Sequence, residues 1–259
     1  MDRKQPSVAS AGKRENLNMN AVLEIKDFSK TYGGTKKACD HVSLIVEPGD
    51  LYGFIGHNGA GKSTTIKAVV GVLDFDEGEI LIDGHSFKSE PMACKRITAY
   101  IPDNPDLYEN LTGLQYLNFV ADAFQVPSGD RKERIEKSAG LFEIKEALGD
   151  LISSYSHGMK QKTALIGALI HQPRLLVLDE PFVGLDPKTA FTLKQIMHSM
   201  CEEGAAVFFS THVLDVAQKL CSRIAIIKDG RIIASGQMEE LIGDKSLEEV
   251  FLEVTEDGK

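Results

Sequence analysis

The sequence predicts an α/β fold built around a parallel sheet, with antiparallel strands at its front and an inserted helical portion. Three observations carry this expectation. A glycine-rich loop, Gly56-His57-Asn58-Gly59-Ala60-Gly61-Lys62-Ser63-Thr64, stands between a strand-like apolar run (Leu51, Tyr52, Phe54, Ile55) and a helical pattern of Ile66, Val69 and Val70. Leu175–Leu178 and Ala206–Phe209 are unbroken apolar runs, the pattern of strands buried on both faces. Between Gly113 and about Leu148 the periodicity becomes helical.

Taken in order, Met1–Asn20 is polar, carries Arg3, Lys4, Lys13 and Arg14, and lacks the apolar core of a signal peptide. It reads as a disordered tail over 1–20, whose basic residues also permit weak contact with an anionic lipid surface. Val22–Phe28 and Val42–Val46 alternate apolar and polar residues around a Gly33-Gly34 turn and predict antiparallel strands. Glu79–Ile82 ends in Asp83-Gly84, and Thr98–Ile101 stops at Pro102. Leu114, Leu117, Val120, Ala121 and Phe124 share one helical face, a charged helix follows near Arg131–Phe142, and the aromatic residues of Tyr108–Phe124 are assigned to the core of this portion. Asp186-Pro187 opens a further helix, since Asp caps and Pro suits the first turn. Ile224–Lys228 and Arg231–Ala234 form a hairpin on Asp229-Gly230, and Leu247, Val250, Phe251 and Val254 have the spacing of a packed terminal helix. These readings give one domain over 21–259: a core of 21–101 and 160–236, a helical subdomain of 102–159 and a C-terminal extension of 237–259.

Composition narrows the function classes. At 259 residues the chain can bury a substantial core, and its net charge of −9 argues against neutralising nucleic-acid phosphates as its main task. Cys39, Cys94, Cys201 and Cys221 are widely spaced, which fits a reduced chain rather than a disulfide framework or a zinc site. No apolar run approaches the length that spans a bilayer.

The glycine-rich loop fits the phosphate-binding pattern at every fixed position. Gly56, Gly59 and Gly61 let backbone N–H groups point into one concavity, and the helix starting near Lys62 adds its positive dipole end, so a polyphosphate is the expected guest. Lys62 then bridges the terminal phosphates, and the Ser63 hydroxyl is suited to Mg²⁺. Asp179 and Glu180 end a buried strand where α/β ligand sites form. Asp179 suits a magnesium ligand, directly or through water, and Glu180 suits a base for a water attacking the γ-phosphate. His212 ends another inner strand, and can be either a γ-phosphate contact or an ordinary strand-end residue.

Together these segments resemble the ATP-binding cassette (ABC) ATPase family over Val22–Thr255. Beside the phosphate loop, Tyr155-Ser156-His157-Gly158-Met159-Lys160-Gln161-Lys162 resembles the family signature, Gly184-Leu185-Asp186 its interface loop, and Ser210-Thr211-His212 its switch histidine. Tyr100–Asp103, Leu107–Thr112, Ser156–Lys162 and Ser246–Phe251 are similar to cassettes of bacterial exporters of the Ecs and drug or peptide export type. The resemblance implies an ATPase with a P-loop NTPase (RecA-like) core, an antiparallel β subdomain and an inserted helical signature subdomain, using ATP and Mg²⁺. It implies that Tyr32 stacks on adenine, that Gly56–Thr64 hold phosphate, that Ser63, Asp103 and Asp179 serve the metal, and that Lys62, Glu180 and His212 serve catalysis. Ser156, Gly158 and Asp186 belong to the nucleotide site across a dimer of cassettes, which works on the cytoplasmic face of the membrane with a separate permease. Leu107, Tyr108 and Leu111 then line the permease dock, with subdomain packing as the equal alternative. Asp103 departs from the family's Gln, and His157 and Met159 from Gly and Gln of the signature. The alternative is an ABC ATPase outside transport, such as an iron–sulfur assembly scaffold ATPase.

Overall fold

The computed structural model describes residues 21–256; the tail read over 1–20 lies outside them. Strands β1 (Leu23–Tyr32), β2 (Lys36–Val46), β4 (Glu77–Ile82) and β5 (His85–Ser86) form an antiparallel sheet in the order β2-β1-β4-β5. The second sheet has the order β10-β9-β3-β8-β7-β6, with β3 (Leu51–Ile55), β6 (Thr98–Ile101), β7 (Leu175–Asp179), β8 (Ala206–Thr211) and β9 (Arg223–Lys228) parallel. Its edge strand β10 (Arg231–Gln237) runs antiparallel to β9.

Strands β3, β7 and β8 are buried along their whole length because their alternating side chains enter two different cores. Tyr52, Phe54, Leu175, Val177 and Phe208 face the antiparallel sheet and α1 (Lys62–Val69). Leu51, Ile55, Leu176, Leu178 and Phe209 face the helices on the other side, among them α6 (Pro187–Glu202) and α7 (Leu214–Leu220). A strand apolar at every position needs cover on both faces, and this is the arrangement that supplies it.

Two short helices, α2 (Pro91–Arg96) and α8 (Met238–Ile242), flank the sheets, and α9 (Leu247–Glu256) ends the described chain. The helical portion comprises α3 (Gly113–Ala123), α4 (Ser128–Leu141), two short 3₁₀ turns and α5 (His157–Leu169). Thr112 starts α3 with a capping box to Gln115, and Ser156 caps α5. The 159/160 position proposed as a subdomain limit falls inside α5, which continues unbroken into the core at Leu165, Ile166 and Ile170.

Two expectations for this portion are corrected. Leu114 does not share the buried face of Leu117 and Ala121 but is exposed. Tyr108 and Phe119 are exposed as well, in edge-to-face contact at 5.5 Å, rather than part of the core. For Leu107, left open between dock and packing, the structure shows packing against Ile152, Tyr155 and Ala164. On α3 the cover comes from the side facing α5 and α4, and helical spacing shows which residues align without showing which of them find a partner. Among the described residues no helix is long and apolar enough to cross a membrane.

Phe208 is fully buried between Tyr52 and Phe54, at ring distances of 5.9 and 5.4 Å. Phe208→Ala is expected to lower the unfolding free energy by about 3–5 kcal/mol, whereas Phe119→Ala should change it by no more than about 0.5 kcal/mol. Urea unfolding followed by circular dichroism checks both; equal effects would contradict the burial described.

Candidate nucleotide site

The carboxyl ends of β3, β8 and β7 lie side by side, with Ile55 opposite Thr211 and Asp179 opposite Ser210. The loops leaving these strands therefore converge, which is where open α/β sheets bind ligands. The first is the glycine-rich loop. A Cβ on Gly56 would lie 2.5 Å from the Ile227 carbonyl oxygen, and one on Gly61, at φ 114°, 2.7 Å from that of Ala38. Only glycine lets the loop lie this close to β9 and β2. Gly230 N–H donates to the Ala60 carbonyl at 2.9 Å and fixes the loop from the hairpin side.

Lys62 is buried, and its ammonium donates to the carbonyls of Gly56 at 2.7 Å and His57 at 3.3 Å. It also lies 3.5 Å from Glu180 Oε1. Beside it opens a cleft of about 780 Å³ lined by Tyr32, Lys37, Asn58, Gly59, Gly61, Lys62, Ser63, Thr64, Asp103 and Glu180, with Asp229 and Gly230 at the hairpin. Tyr32, the last residue of β1, is half exposed there.

Asp179 is buried and accepts a hydrogen bond from Ser210 Oγ at 2.5 Å. The same hydroxyl accepts from Glu180 N–H at 3.0 Å, so one side chain on β8 holds both consecutive acids. Glu180 adopts φ 48°, in the left-handed region, which costs about 1–3 kcal/mol for a residue with a side chain. Its Oε1 meets His212 Nδ1 at 3.0 Å, and its Oε2 is buried without a hydrogen-bond partner. An orphaned buried carboxylate oxygen beside a buried lysine is costly unless a ligand group completes it. Asp103 follows β6, accepts from Asn104 N–H at 2.9 Å, and borders the cleft with Glu180. Burial first, then the charges of Asp179 and Asp103, push the Tyr100 phenol up to about 12.

The structure does not bring every candidate into this cleft. Gly56, His57, Ala60, Asp179 and His212 lie behind or beside its lining, tied to it through Lys62, Ser210 and Glu180, whereas Ser156, Gly158 and Asp186 lie outside it with no such tie. Ser156 Oγ accepts from Met159 N–H at 3.3 Å at the exposed start of α5, and the position above Gly158 is open space. Asp186 caps α6, accepting from Lys188 N–H, Thr189 N–H and the Thr189 hydroxyl; the Thr189 bonds, led by the hydroxyl, hold its carboxyl below the usual range. The start of α5 meets the loop before α6 through Gln161 Nε2, which donates to the Val183 carbonyl at 3.2 Å. Ser210, Gln161, Lys37 and Asp229 are the site and near-site residues that sequence reasoning did not single out. A polar residue at the inward end of an otherwise apolar strand is the signal that could have found Ser210.

Comparison with known proteins follows the same lines. A family model described as "ABC transporter" matches residues 39–183. The ABC-type transporter ATP-binding protein EcsA of Bacillus subtilis is 34% identical over 92% of this chain and 98% of its own length. The bacitracin transport ATP-binding protein BcrA of Bacillus licheniformis is 33% identical over 83% of this chain and 69% of its own. A solved structure of an ATP-binding subunit of an ABC transporter superposes with a TM-score of 0.87 at 34% identity, covering 90% of this chain and 99% of that one. With the loop, the paired acids and the family match in agreement, the chain belongs to the ABC transporter family, as one of its ATP-binding ATPase chains.

Proposed function

We propose that this chain drives a separate membrane permease, in an exporter, by closing as one of two cassettes around ATP at the cytoplasmic face of the membrane. The observation that carries the reading is the placement of Ser156 and Gly158. Both stand outside the chain's own cleft, and no atom of the described residues lies within 4 Å of where a Cβ at Gly158 would sit. A glycine with open space above it, next to an exposed helix cap, suits close approach by a group from another chain. The second cassette supplies that group as the ATP held by its own phosphate loop. Relatives named for bacitracin transport and for probable multidrug transport support an exporter.

The residues at the cleft suit magnesium. Ser63 and Asp103 in its lining, and the buried Asp179 next to Glu180, offer hard oxygen donors, and no cluster of three or more His, Cys, Asp or Glu forms a closed metal cage among the described residues. That donor set matches an ion bound mainly through substrate phosphates and water. Bound there, Mg²⁺ would neutralise charge on the phosphate oxygens. Lys62 holds the terminal phosphates with the charge it now directs at loop carbonyls and Glu180. Glu180 accepts the proton of the attacking water as the bond from γ-phosphorus to the β-bridging oxygen breaks, and His212 orients Glu180 through Oε1. Tyr32 stacks on the base, and Asp186 acts by fixing the loop that faces the partner cassette.

The permease dock is proposed at the exposed aromatic pair Tyr108 and Phe119, with Leu114, beside a cleft of about 260 Å³ between β6, α3 and α5. His171 lines that cleft, stacked on Phe124 at 3.7 Å. Burial lowers its pKa to about 4, so it is a neutral wall at physiological pH. The dock accordingly uses Tyr108 and not the buried Leu107.

Three outcomes are expected. Glu180→Gln should retain ATP binding while turnover falls by about two to four orders of magnitude; wild-type turnover by the purified variant would remove Glu180 from its role. Ser210→Ala should reduce turnover by about ten- to a hundredfold, the range for a partner that orients the reacting groups, and should also lower the unfolding free energy of the nucleotide-free chain by about 1–3 kcal/mol, because it orphans the buried Asp179 oxygen and the Glu180 N–H. Unaltered steady-state kinetics would show that the acids hold their geometry without it. Ser156→Arg should bind ATP yet fail to hydrolyse it, and the Ser156→Arg, Glu180→Gln chain should not dimerise with ATP. Mixing Ser156→Arg with Lys62→Ala should restore one composite site. Dimerisation of the Ser156→Arg, Glu180→Gln chain equal to that of Glu180→Gln alone, by size-exclusion chromatography, would overturn the shared site.

A further inference from the structure

The terminal helix α9 touches the phosphate loop. It opens with a reciprocal cap, Ser246 N–H donating to Glu249 Oε2 at 2.7 Å and Glu249 N–H to Ser246 Oγ at 3.2 Å. Leu247, Val250 and Phe251 are buried against the body, and Leu247 N–H donates at 2.9 Å to Gln218 Oε1 on α7, the helix that follows His212. The Phe251 ring then meets the imidazole of His57 edge to face, with centroids 4.9 Å apart and planes at 72°.

His57 is more than a neighbour of the phosphate-binding residues. Its carbonyl accepts from Ala60 N–H at 3.1 Å, which sets the bend of the loop, and from Lys62 Nζ at 3.3 Å. At the other end of α9, Lys228 Nζ donates to the Thr255 carbonyl at 2.5 Å. Lys228 leads into the Asp229-Gly230 turn, which borders the nucleotide cleft and holds Ala60 through Gly230 N–H at 2.9 Å. One helix therefore holds the loop from its outer face, at His57, and from the hairpin under it.

We propose that α9 braces the phosphate loop, and that Phe251, through His57, is a positioning residue for ATP binding. Fixing the His57 backbone keeps the loop in its concave form before the ligand arrives, so less ordering is required on binding. By linkage, ATP held in the loop favours the docked helix to the same extent. The effect on the chemical step should be small, because the ring meets the loop at the outer side of His57 and Lys62 keeps its second carbonyl partner, Gly56, at 2.7 Å. The effect belongs in ATP affinity and not in turnover at saturation.

A double-mutant cycle tests this in the full chain. Phe251→Leu keeps an apolar side chain in the core and removes the ring, while His57→Ala removes the same contact from the surface side. A fluorescent ATP analogue is titrated into wild type, each variant and the double variant, and KM and kcat for ATP are measured alongside. Phe251→Leu should raise Kd and KM by about two- to tenfold, the span of an aromatic pair, with kcat within about twofold. In the His57→Ala background it should have no further effect. A ring that serves only the fold would lower the thermal midpoint and leave Kd unchanged, or would act equally in both backgrounds; either result overturns the brace. The assignment rests on ATP binding at the loop, and failure of the wild type to bind the analogue would overturn that reading and the brace together.

Discussion

The side-by-side alignment of the carboxyl ends of β3, β8 and β7 is the constraint from which the remaining architecture follows. It places the phosphate loop, Ser210–His212 and the Asp179-Glu180 pair within reach of one another, although the loop lies more than a hundred residues before the other two in sequence. Parallel strands in that central position are apolar on both faces, and a sheet of this kind exists only when both faces are covered. The antiparallel sheet with α1 covers one face, and α6, α7 and the helical insertion cover the other. The layers that seem peripheral to the chemistry are thus a requirement of the strands that carry it.

Charge sets a second constraint. Lys62 is buried and held by two carbonyls and one carboxylate, while Glu180 keeps a buried oxygen with no partner. Removing water from an ion pair is costly, and a pair so incompletely bonded is a poor source of stability. Its geometry makes sense as a site prepared for more charge. In the function proposed above, a polyphosphate would meet Lys62 and the loop amides, and the acids Asp103 and Glu180 at the cleft, with Asp179 behind them, would favour accompanying cations. The left-handed backbone of Glu180 belongs to the same economy of strain, since the turn that aims its carboxylate at His212 and Lys62 is one a side-chain-bearing residue adopts only when held there. Ser210 is the group that holds it, by accepting from its N–H.

What the sequence makes legible follows from how local each feature is. The strand, glycine loop and helix around Lys62 are contiguous, as are the apolar run and acids of Leu175–Glu180, so pattern and turn chemistry suffice to find them. Ser210 binding both Asp179 and Glu180 is a matter of strand register across thirty-odd positions, and His57 meeting Phe251 depends on how the chain end folds back. A polar residue closing an apolar strand marks Ser210 locally, but its two partners are not marked, and the His57–Phe251 contact has no local signature at all. The exposure of Leu114, Tyr108 and Phe119 has a different origin. Apolar character and spacing identify candidates for a core, but whether a neighbour covers each of them is decided by tertiary packing. The exposed members therefore carry information that the sequence alone could not, since an unpartnered aromatic cluster on a folded surface invites a binding partner.

The continuity of α5 joins these points. Its first residue follows the exposed Ser156, its middle turns pack on α3 and α4, and its end enters the core at Ile166 and Ile170 beside β6. No proline interrupts it, and a helix of this length moves as a rod unless a breaker or inserted group bends it. Strand β6 leads within two residues to Asp103, which borders the cleft. In the dimer proposed above, a displacement of Ser156 by the facing chain would reach β6 through the packing of α5. Ser156, Asp103 and the exposed aromatic pair stand on contiguous, packed elements, and such contiguity is the physical path that a coupling of this kind requires.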